Sequence, residues 1–368
     1  MTGVNRSMEK QGSSLSLPVL LGLVVGLLTL LFLELAIGSV RIPIGAIFRI
    51  LGGQLFGDRL LGESTKTSWV KIVLLFRLPR AVTAALAGAA LSVSGLQMQT
   101  VFRNPLAGPS ILGIGQGASL GVALVVLTLS GAGTSGLFLE SIGLVGDMGI
   151  VVAASLGSLM VLGLVLYASR RVQSVMTILI LGVLFGYATG AIVSLLIHFS
   201  VADRVQAYIT WTFGDFGGTT WSQIKVFAPV ILIVLAITQL SVKRLNTLLL
   251  GETYARSMGL RVKRSRTFII CTTAVLSGAV TAFCGPIAFL GVAVPHLCRG
   301  LFNTSNHRVL LPSTVILGAA IALLADLVAH VPGTQIVLPV NAVTALIGTP
   351  VVAWVILRKR NMRSTFAA

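Results

Sequence analysis

The chain has 368 residues, of which 55% are hydrophobic and only 10% are charged. Soluble domains carry about a quarter charged residues, so this composition excludes a surface that faces water on all sides and indicates lipid. The net charge of +17 raises the possibility of nucleic acid, but the basic residues lie in short blocks between apolar runs, as charges that orient a membrane protein do. We predict an all-α polytopic membrane protein with no nucleic-acid partner.

Ten apolar runs follow one another, and most approach the roughly 20 residues that a helix needs to cross a bilayer. The first, at 15–37, follows Arg6 and Lys10 and is longer than the core of a signal peptide, so it predicts a retained helix. Residues 1–14 then form a cytoplasmic tail. The third and eighth runs are short and rich in Gly and Pro. The runs after the first are 80–102, 110–129, 142–168, 174–199, 223–242, 266–284, 286–302, 309–329 and 338–357.

Loop charges predict the orientation. Ten crossings put both termini on one side, and an excess of Lys and Arg marks the cytoplasm. The basic segments 243–265 and 358–368 then lie inside, whereas the loops 200–222 and 330–337, nearly free of Lys and Arg, lie outside. The segment 39–80 is the exception, because it falls outside yet is basic. Either the charge rule is overridden there or these charges act at the outer face.

Two segments of the chain resemble each other. Residues 84–95 and 274–285 share Leu, Gly, Ala and Gly at equal offsets, and they fall in the second and seventh predicted helices. Five crossings separate these helices, so the two copies would run in opposite directions. Inverted repeats of this kind are typical of transporters, although helices rich in small residues also share Gly and Ala by chance.

The basic loop 243–265 contains a short helical pattern. Glu252, Ala255 and Gly259 occur at i, i+3 and i+7, on one face of a helix that begins near Gly251. Gly259 is suited to end that helix as a C-cap. The small, acidic face could dock into a cleft of another protein, or the helix could be an ordinary solvated part of the loop. The spacing leaves both interpretations open.

Glycines and prolines interrupt or line several predicted helices. Gly182, Gly186 and Gly190 follow one face of the fifth helix at i, i+4 and i+8. This stripe predicts close helix packing, to which a narrow pathway could be added. Breaks at 103–109 and 285–286 flank the third and eighth helices.

Few residues have the chemistry of an enzyme. Asp326 is the only acid inside the spans of the second half, and an acid within a membrane is a functional candidate, with hydrogen-bonded structural use as the alternative. The histidines and cysteines show no metal-ligand spacing, and no nucleotide-binding loop or nucleophile–base pair is visible. We predict no catalytic residue, metal site or cofactor.

From about residue 70 onwards the chain resembles the permease subunits of bacterial ABC importers for iron-siderophores, haem and vitamin B12, the FecCD/BtuC-like family. The resemblance depends on the order and spacing of several short motifs. They are Arg77-Leu-Pro-Arg80, Arg103-Asn-Pro-Leu-Ala107, Trp211-x-x-Gly214-x-Phe216-Gly-Gly218, Gly251-Glu252-x-x-Ala255-x-x-Met258-Gly259, Gly285-Pro286-Ile-Ala-Phe-Leu-Gly291, Pro295-His296, Asn306-His307-Arg308, Leu324-Ala-Asp326, Leu338-Pro339-Val340 and the segment from Thr344 to Gly348.

The resemblance implies one transmembrane permease domain over residues 1–368, with ten helices in a bacterial inner membrane. It implies a second permease subunit, identical or paralogous, two cytoplasmic ATPase subunits and a periplasmic or lipid-anchored substrate-binding protein. Hydrolysis of ATP would take place in the separate ATPases, so the chain itself would not be an enzyme. Iron-siderophores are the most frequent substrates of the family, with haem and vitamin B12 as alternatives.

The resemblance also implies roles for individual residues. The segment with Gly251, Glu252, Ala255, Met258 and Gly259 resembles the coupling helix that enters a cleft of the ATPase. Arg77 and Arg80 resemble arginines that meet acidic residues of the binding protein, and at i, i+3 they can share a helical face. His330 stands where the family often has a third such arginine. Ser174, Val175 and Met176 match the inner gate, beside the Gly182–Gly186–Gly190 stripe.

Two other classes of protein remain as alternatives. An ion-coupled secondary carrier that works alone would use Asp326 as its coupling acid. A membrane scaffold or sensor would have no substrate pathway.

Overall fold

A computed structural model describes residues 2–38, 40–56, 66–128, 147–172, 174–330 and 337–357. Across these ranges the chain is almost entirely helical, and an isolated antiparallel bridge joins His330 to Val337. The all-α prediction is confirmed. The helices in chain order are α1 (Thr2–Ala36), α2 (Ile44–Phe56), α3 (Thr67–Val101), α4 (Ile114–Thr128), α5 (Asp147–Arg171), α6 (Val175–His198), α7 (Ala202–Thr212), α8 (Trp221–Gln239), α9 (Val242–Leu249), α10 (Glu252–Ser257), α11 (Val262–Cys284), α12 (Leu290–Phe302), α13 (His307–Ala329) and α14 (Val340–Leu357).

Seven of the described helices are long and apolar enough to cross a membrane: α1, α3, α5, α6, α8, α11 and α13. Three shorter apolar helices, α4, α12 and α14, stand at the third, eighth and tenth predicted runs. Two of them start after a residue of positive φ, Gly113 at +74° before α4 and Phe289 at +66° before α12. Such a residue cannot continue a right-handed helix, so each break shortens the span. The prediction of many crossings is confirmed, but the count of ten stays a prediction, because three of the ten predicted helices are shorter than a full span.

Helix α3 is longer than the sequence predicts. We expected it to begin at residue 80, but it begins at Thr67 and includes a wider π-helical segment, Ile72–Arg77, before Pro79. A proline ring clashes with the carbonyl one turn earlier, and a π segment relieves that clash without ending the helix. Hydropathy missed the part of α3 before residue 80, because Lys71, Arg77 and Arg80 interrupt the apolar run.

Helix α2 explains part of the basic segment that hydropathy did not assign. Ala46, Ile47 and Ile50 on one of its faces are buried, whereas Ile44 and Phe48 are exposed. The ring of Phe48 lies 4.6 Å from that of Phe32 in α1. This pattern of i, i+1 and i+4 is that of an amphipathic helix, too short to cross the membrane, which packs against the end of α1.

The centre of the molecule is α3, and its glycines allow two other helices to approach closely. A methyl group added at Gly95 would overlap the carbonyl of Gly291 in α12, and one added at Gly88 would overlap the carbonyl of Gly318 in α13. The pair Gly117–Gly157 brings α4 and α5 together in the same way. These contacts confirm the expectation that small residues serve close helix packing.

The two segments of the suspected repeat lie next to each other in α3 and α11. Gln97 of α3 is hydrogen-bonded to Thr272 and Thr273 of α11. The inverted relation between the two halves stays a prediction. The predicted tail 358–368 and residues 331–336 of the outer loop lie outside the described residues, and residues 2–14 of the predicted N-terminal tail continue α1 as helix.

Candidate functional site

The short helix expected in the basic loop is present as α10, and two glycines define it. Gly251 precedes it with φ +98° and Gly259 follows it with φ +82°, conformations that side chains rarely adopt. The amide of Leu260 donates to the carbonyl of Ala255 at 3.0 Å, and that of Gly259 to Arg256 at 2.9 Å. These two bonds form a Schellman motif, so the prediction that Gly259 caps the helix is confirmed.

The expected docking face of α10 is only partly exposed in this chain. Ala255 is fully buried, and Glu252 forms an ion pair with Arg266 of α11 at 2.5 Å. Two of the three residues of the expected face, Ala255 and Glu252, therefore contact the same chain, whereas Gly259 is exposed. The outward face carries Tyr254 and Met258, which are 56% and 60% exposed. A coupling role for α10 stays a prediction.

A cluster of charged side chains joins the last turns of α1 and α13 to the middle of α3. The guanidinium of Arg80 donates to Asp326 Oδ2 at 2.7 Å and lies 3.1 Å from Glu34 Oε1. Nδ1 of His330 lies 3.4 Å from Asp326 Oδ1. Asp326 is fully buried and Glu34 is 4% exposed. The hydrogen-bonded structural interpretation of Asp326 is therefore supported, since an acid in this position fastens two helices through one arginine.

Arg77 is also directed into the chain. Its guanidinium donates to the carbonyls of Leu35, at 2.7 Å, and of Val40, and the residue is 9% exposed. We expected Arg77 and Arg80 to present two guanidinium groups on one outward face. That geometry is wrong, because acceptors at the end of α1 engage both side chains. Glu34 is a functional residue that motif spacing does not indicate, although a lone acid near the end of an apolar run is a usable signal.

The helix breaks that the sequence singles out come together around a cavity of about 250 Å³. Gly108 and Pro109 reach it from the break after α3, and Pro286 from the break before α12. Asn341, in the first turn of α14, accepts a hydrogen bond from the amide of Ala288 at 3.1 Å. Polar groups on other helices, among them Gln116 and Ser277, complete the lining. Irregular backbone at membrane depth is tolerated where it lines a cavity of this kind.

The glycine stripe of α6 faces this region. A methyl group at Gly182 would lie 2.6 Å from the carbonyl of Ile111, and one at Gly186 would lie 3.6 Å from the side chain of Gln116. Gly190 has no atom of the described chain within 4 Å of that position. The first two glycines therefore serve close packing, and only the third borders open space.

The proposed gate residues stand at the start of α6. Ser174 precedes the helix in an extended conformation, Val175 is its first residue, and Met176 is 63% exposed. A gate at these positions stays a prediction. Among the described residues, no group of three His, Cys, Asp or Glu side chains is placed to hold a metal ion.

Long apolar helices, interrupted helices around a cavity and charges at the helix ends define a multi-pass membrane transport protein. A model of the FecCD transport family matches residues 26–358, and the chain belongs to this family. The match begins at residue 26, before residue 70, so it includes the last third of α1 and all of α2.

Curated relatives are similar over nearly their full lengths. The ABC transporter permease protein YvrB of Bacillus subtilis is 35% identical, with 89% of this chain and 90% of the relative covered. The vitamin B12 import system permease protein BtuC of Klebsiella pneumoniae is 34% identical over 93% and 94% of the two chains. The hemin transport system permease protein HmuU of Yersinia pestis is 34% identical over 93% and 97%.

A solved structure has the same fold. It is a metal-chelate type ABC transporter in an inward-facing conformation, 27% identical, with a TM-score of 0.78 over 93% of this chain and 99% of the other. Together with the family match, this similarity establishes a permease of an ABC importer, a multi-pass protein of the inner membrane. It favours neither a carrier that works alone nor a scaffold without transport.

Proposed function

We propose that the chain is the membrane-spanning subunit of an ATP-driven importer that moves a bulky iron-siderophore across the inner membrane by alternating access. Haem and vitamin B12 are the alternative substrates, and relatives named for each of them are equally similar. The chain hydrolyses no ATP itself, and two separate cytoplasmic ATPase subunits supply the energy.

The observation that carries this proposal is the form of α10. Two glycines of positive φ separate it from α9 and α11, and its outward face exposes Tyr254 and Met258. An exposed aromatic ring and a thioether on a short, fixed helix suit insertion into an apolar cleft of a partner protein. In an ABC importer that partner is the ATPase, so α10 serves as the coupling helix.

The cavity at the helix breaks suits a substrate whose metal ion is already enclosed by a chelator. Its lining is mainly apolar, with several hydroxyl and amide groups and no charged side chain, which suits the periphery of a chelate rather than a bare ion. A volume of about 250 Å³ is small for a whole siderophore complex. The pathway therefore runs between this permease and a second one, identical or paralogous, and the cavity forms part of its wall.

The proposed orientation places both termini in the cytoplasm. Residues 1–14 and 358–368 are then cytoplasmic ends of a single permease domain that spans 1–368. The loop 243–265 faces the ATPases, as its excess of Lys and Arg supports. The substrate-binding protein docks at the opposite end, near Arg77, Arg80 and His330. A carboxylate of that protein would compete with Glu34 for Arg80, whose side chain is 17% exposed.

Reconstitution tests the proposal. The permease, its ATPases and its binding protein are placed in liposomes, and uptake of a ferric siderophore, haem or cobalamin is measured with MgATP supplied to the ATPase side. We expect uptake that requires ATP and the binding protein, survives a protonophore, and stops with an ATPase unable to hydrolyse ATP. Uptake that persists without ATP and collapses with the protonophore would show a secondary carrier instead.

A further inference from the structure

Helix α10 is fastened to α11 by an ion pair with unequal burial. Arg266, in the second turn of α11, is 3% exposed, and its guanidinium donates to Glu252 Oε1 at 2.5 Å. The carboxylate of Glu252 is 30% exposed and lies at the edge of the bundle. A buried arginine needs an anionic partner, because its charge is costly to hold away from water. Movement of Glu252 therefore acts directly on Arg266.

The same carboxylate has a second partner that serves as an internal comparison. Arg256, one turn further along α10, lies 3.3 Å from Glu252 Oε2 and its side chain is 60% exposed. Exposed pairs of this kind contribute little, since water and salt screen them. Glu252 thus joins one buried arginine on the neighbouring helix and one surface arginine on its own helix.

Further hydrogen bonds continue the connection from α11 to the central helix. Gln97 of α3, which is fully buried, donates to Thr272 at 3.2 Å and accepts from Thr273 at 2.9 Å. Both threonines lie on α11, the helix that carries Arg266. Displacement of α10 can therefore reach α3 through two polar contacts, Glu252–Arg266 and Gln97 with the threonines.

A second polar connection flanks α10 on its other side. His307 of α13 bonds Asn246 of α9 at 2.8 Å and Thr100 of α3 at 2.9 Å. Both connections end within one turn of each other on α3, at Gln97 and Thr100. The two helices next to α10 in the chain, α9 and α11, are therefore both connected to α3 by polar contacts. Helices α4 and α5, in contrast, meet through the close approach of Gly117 and Gly157.

We propose that Arg266 is the positioning residue that converts movement of α10 into movement of α11 and α3. The inference rests on the proposed function, in which α10 meets the ATPase. Arg266 itself touches neither nucleotide nor substrate. Its role is to hold Glu252, and with it the whole of α10, at one fixed position on the bundle.

The test uses the complete complex in liposomes and measures ATP hydrolysis and uptake in parallel. We expect Arg266→Ala to lower the substrate imported per ATP by about 5-fold to 150-fold, the usual range of coupling between sites, while the ATPases still co-purify in normal amounts. Arg308→Ala, which removes an exposed arginine in the first turn of α13 and outside α10, should leave this ratio within about 2-fold of wild type.

A charge exchange separates positioning from folding. In the double variant Glu252→Arg with Arg266→Glu the pair is reformed in reverse, and we expect it to recover part of the imported-per-ATP ratio that Arg266→Ala loses. Arg266→Lys keeps the positive charge but lacks the planar guanidinium group. Its imported-per-ATP ratio should lie between that of Arg266→Ala and that of the exchanged pair.

Three results would overturn the inference. One is an Arg266→Ala complex with the wild-type ratio, and another is an equal loss from Arg308→Ala. The third is an exchanged pair that restores assembly of the complex but none of the coupling, which would make Arg266 a purely structural residue. If the wild-type complex imports nothing with ATP, the proposed function fails first and the inference falls with it.

Discussion

The close approach of α3 to α12 and α13 makes a graded prediction from single methyl groups. Substituting alanine at Gly95 drives the new methyl into the carbonyl of Gly291, and at Gly88 into the carbonyl of Gly318, with the deeper overlap at Gly95. In both cases the obstacle is backbone, which cannot rotate away. At Gly278 the nearest atom is the Cβ of Ser158 at 3.3 Å, and at Gly163 no described atom lies within 4 Å.

The magnitudes follow from two opposing effects. Forcing a methyl group into a packed contact costs about 1–3 kcal/mol. Replacing a helical glycine by alanine stabilises the folded state by roughly 0.5–1 kcal/mol. With the largest overlap, Gly95→Ala should lose about 2 kcal/mol of unfolding free energy net, and Gly88→Ala about 1 kcal/mol. Gly278→Ala should be near neutral, and Gly163→Ala should gain up to about 1 kcal/mol.

The assay is SDS-induced unfolding of the four purified variants in mixed micelles, beside the wild type. The expected order of stability is Gly163→Ala, then Gly278→Ala, Gly88→Ala and Gly95→Ala. A Gly95→Ala protein as stable as Gly163→Ala would refute the reasoning, because α3 and α12 could not then lie in backbone contact at Gly291.

Three further predictions concern the two ends of the bundle. Arg80→Ala leaves two buried carboxylates without their cation and should cost about 3–5 kcal/mol in the same unfolding assay, whereas Arg256→Ala should change stability by less than about 1 kcal/mol. Gly259→Trp forces a bulky side chain to φ +82° and should abolish uptake in liposomes while membrane insertion is retained, so wild-type uptake would contradict the coupling role. Tyr254→Asp puts a charge on the outward face of α10 and should reduce the amount of ATPase that co-purifies, and an unchanged amount would exclude this face as the docking surface.

The charged cluster at the end of α1 would make a binding protein compete with internal carboxylates for Arg80. Arg80 is held between Glu34 and Asp326 within one chain. An acidic residue of a partner gains this arginine only if it displaces an internal carboxylate. The free energy of docking at that end of the molecule would therefore be coupled to the contact between α1 and α13 through Arg80. The Arg80→Ala variant tests docking and stability together.

Several features of the molecule could be predicted because they depend on residues close in the chain. Hydropathy over a window of about 20 residues located the spans. The C-cap at Gly259 follows from a helical pattern that stops at a glycine, and the structure forms it with two local hydrogen bonds. The order of short motifs, read along the chain, was sufficient for the family.

Other features were missed or misjudged because their cause lies elsewhere in the sequence. Helix α2 escaped detection because it is amphipathic and short, so a search for spans passes over it. The start of α3 was placed too late because Arg77 and Arg80 look like the boundary of an apolar run. In the structure carbonyls at and just after the end of α1 accept hydrogen bonds from Arg77, Glu34 of α1 pairs with Arg80, and α3 continues through both arginines.

By itself the sequence determined that this chain enters lipid many times, roughly where its long apolar helices lie, and to which family it belongs. Only the tertiary structure decided the direction of each functional side chain. Arg80 and Asp326 are 246 positions apart, yet their atoms are 2.7 Å apart, and Glu252 pairs with Arg266 of the neighbouring helix. The physical reason is the cost of burying charge: a buried charge must have a partner, and packing rather than sequence distance chooses that partner.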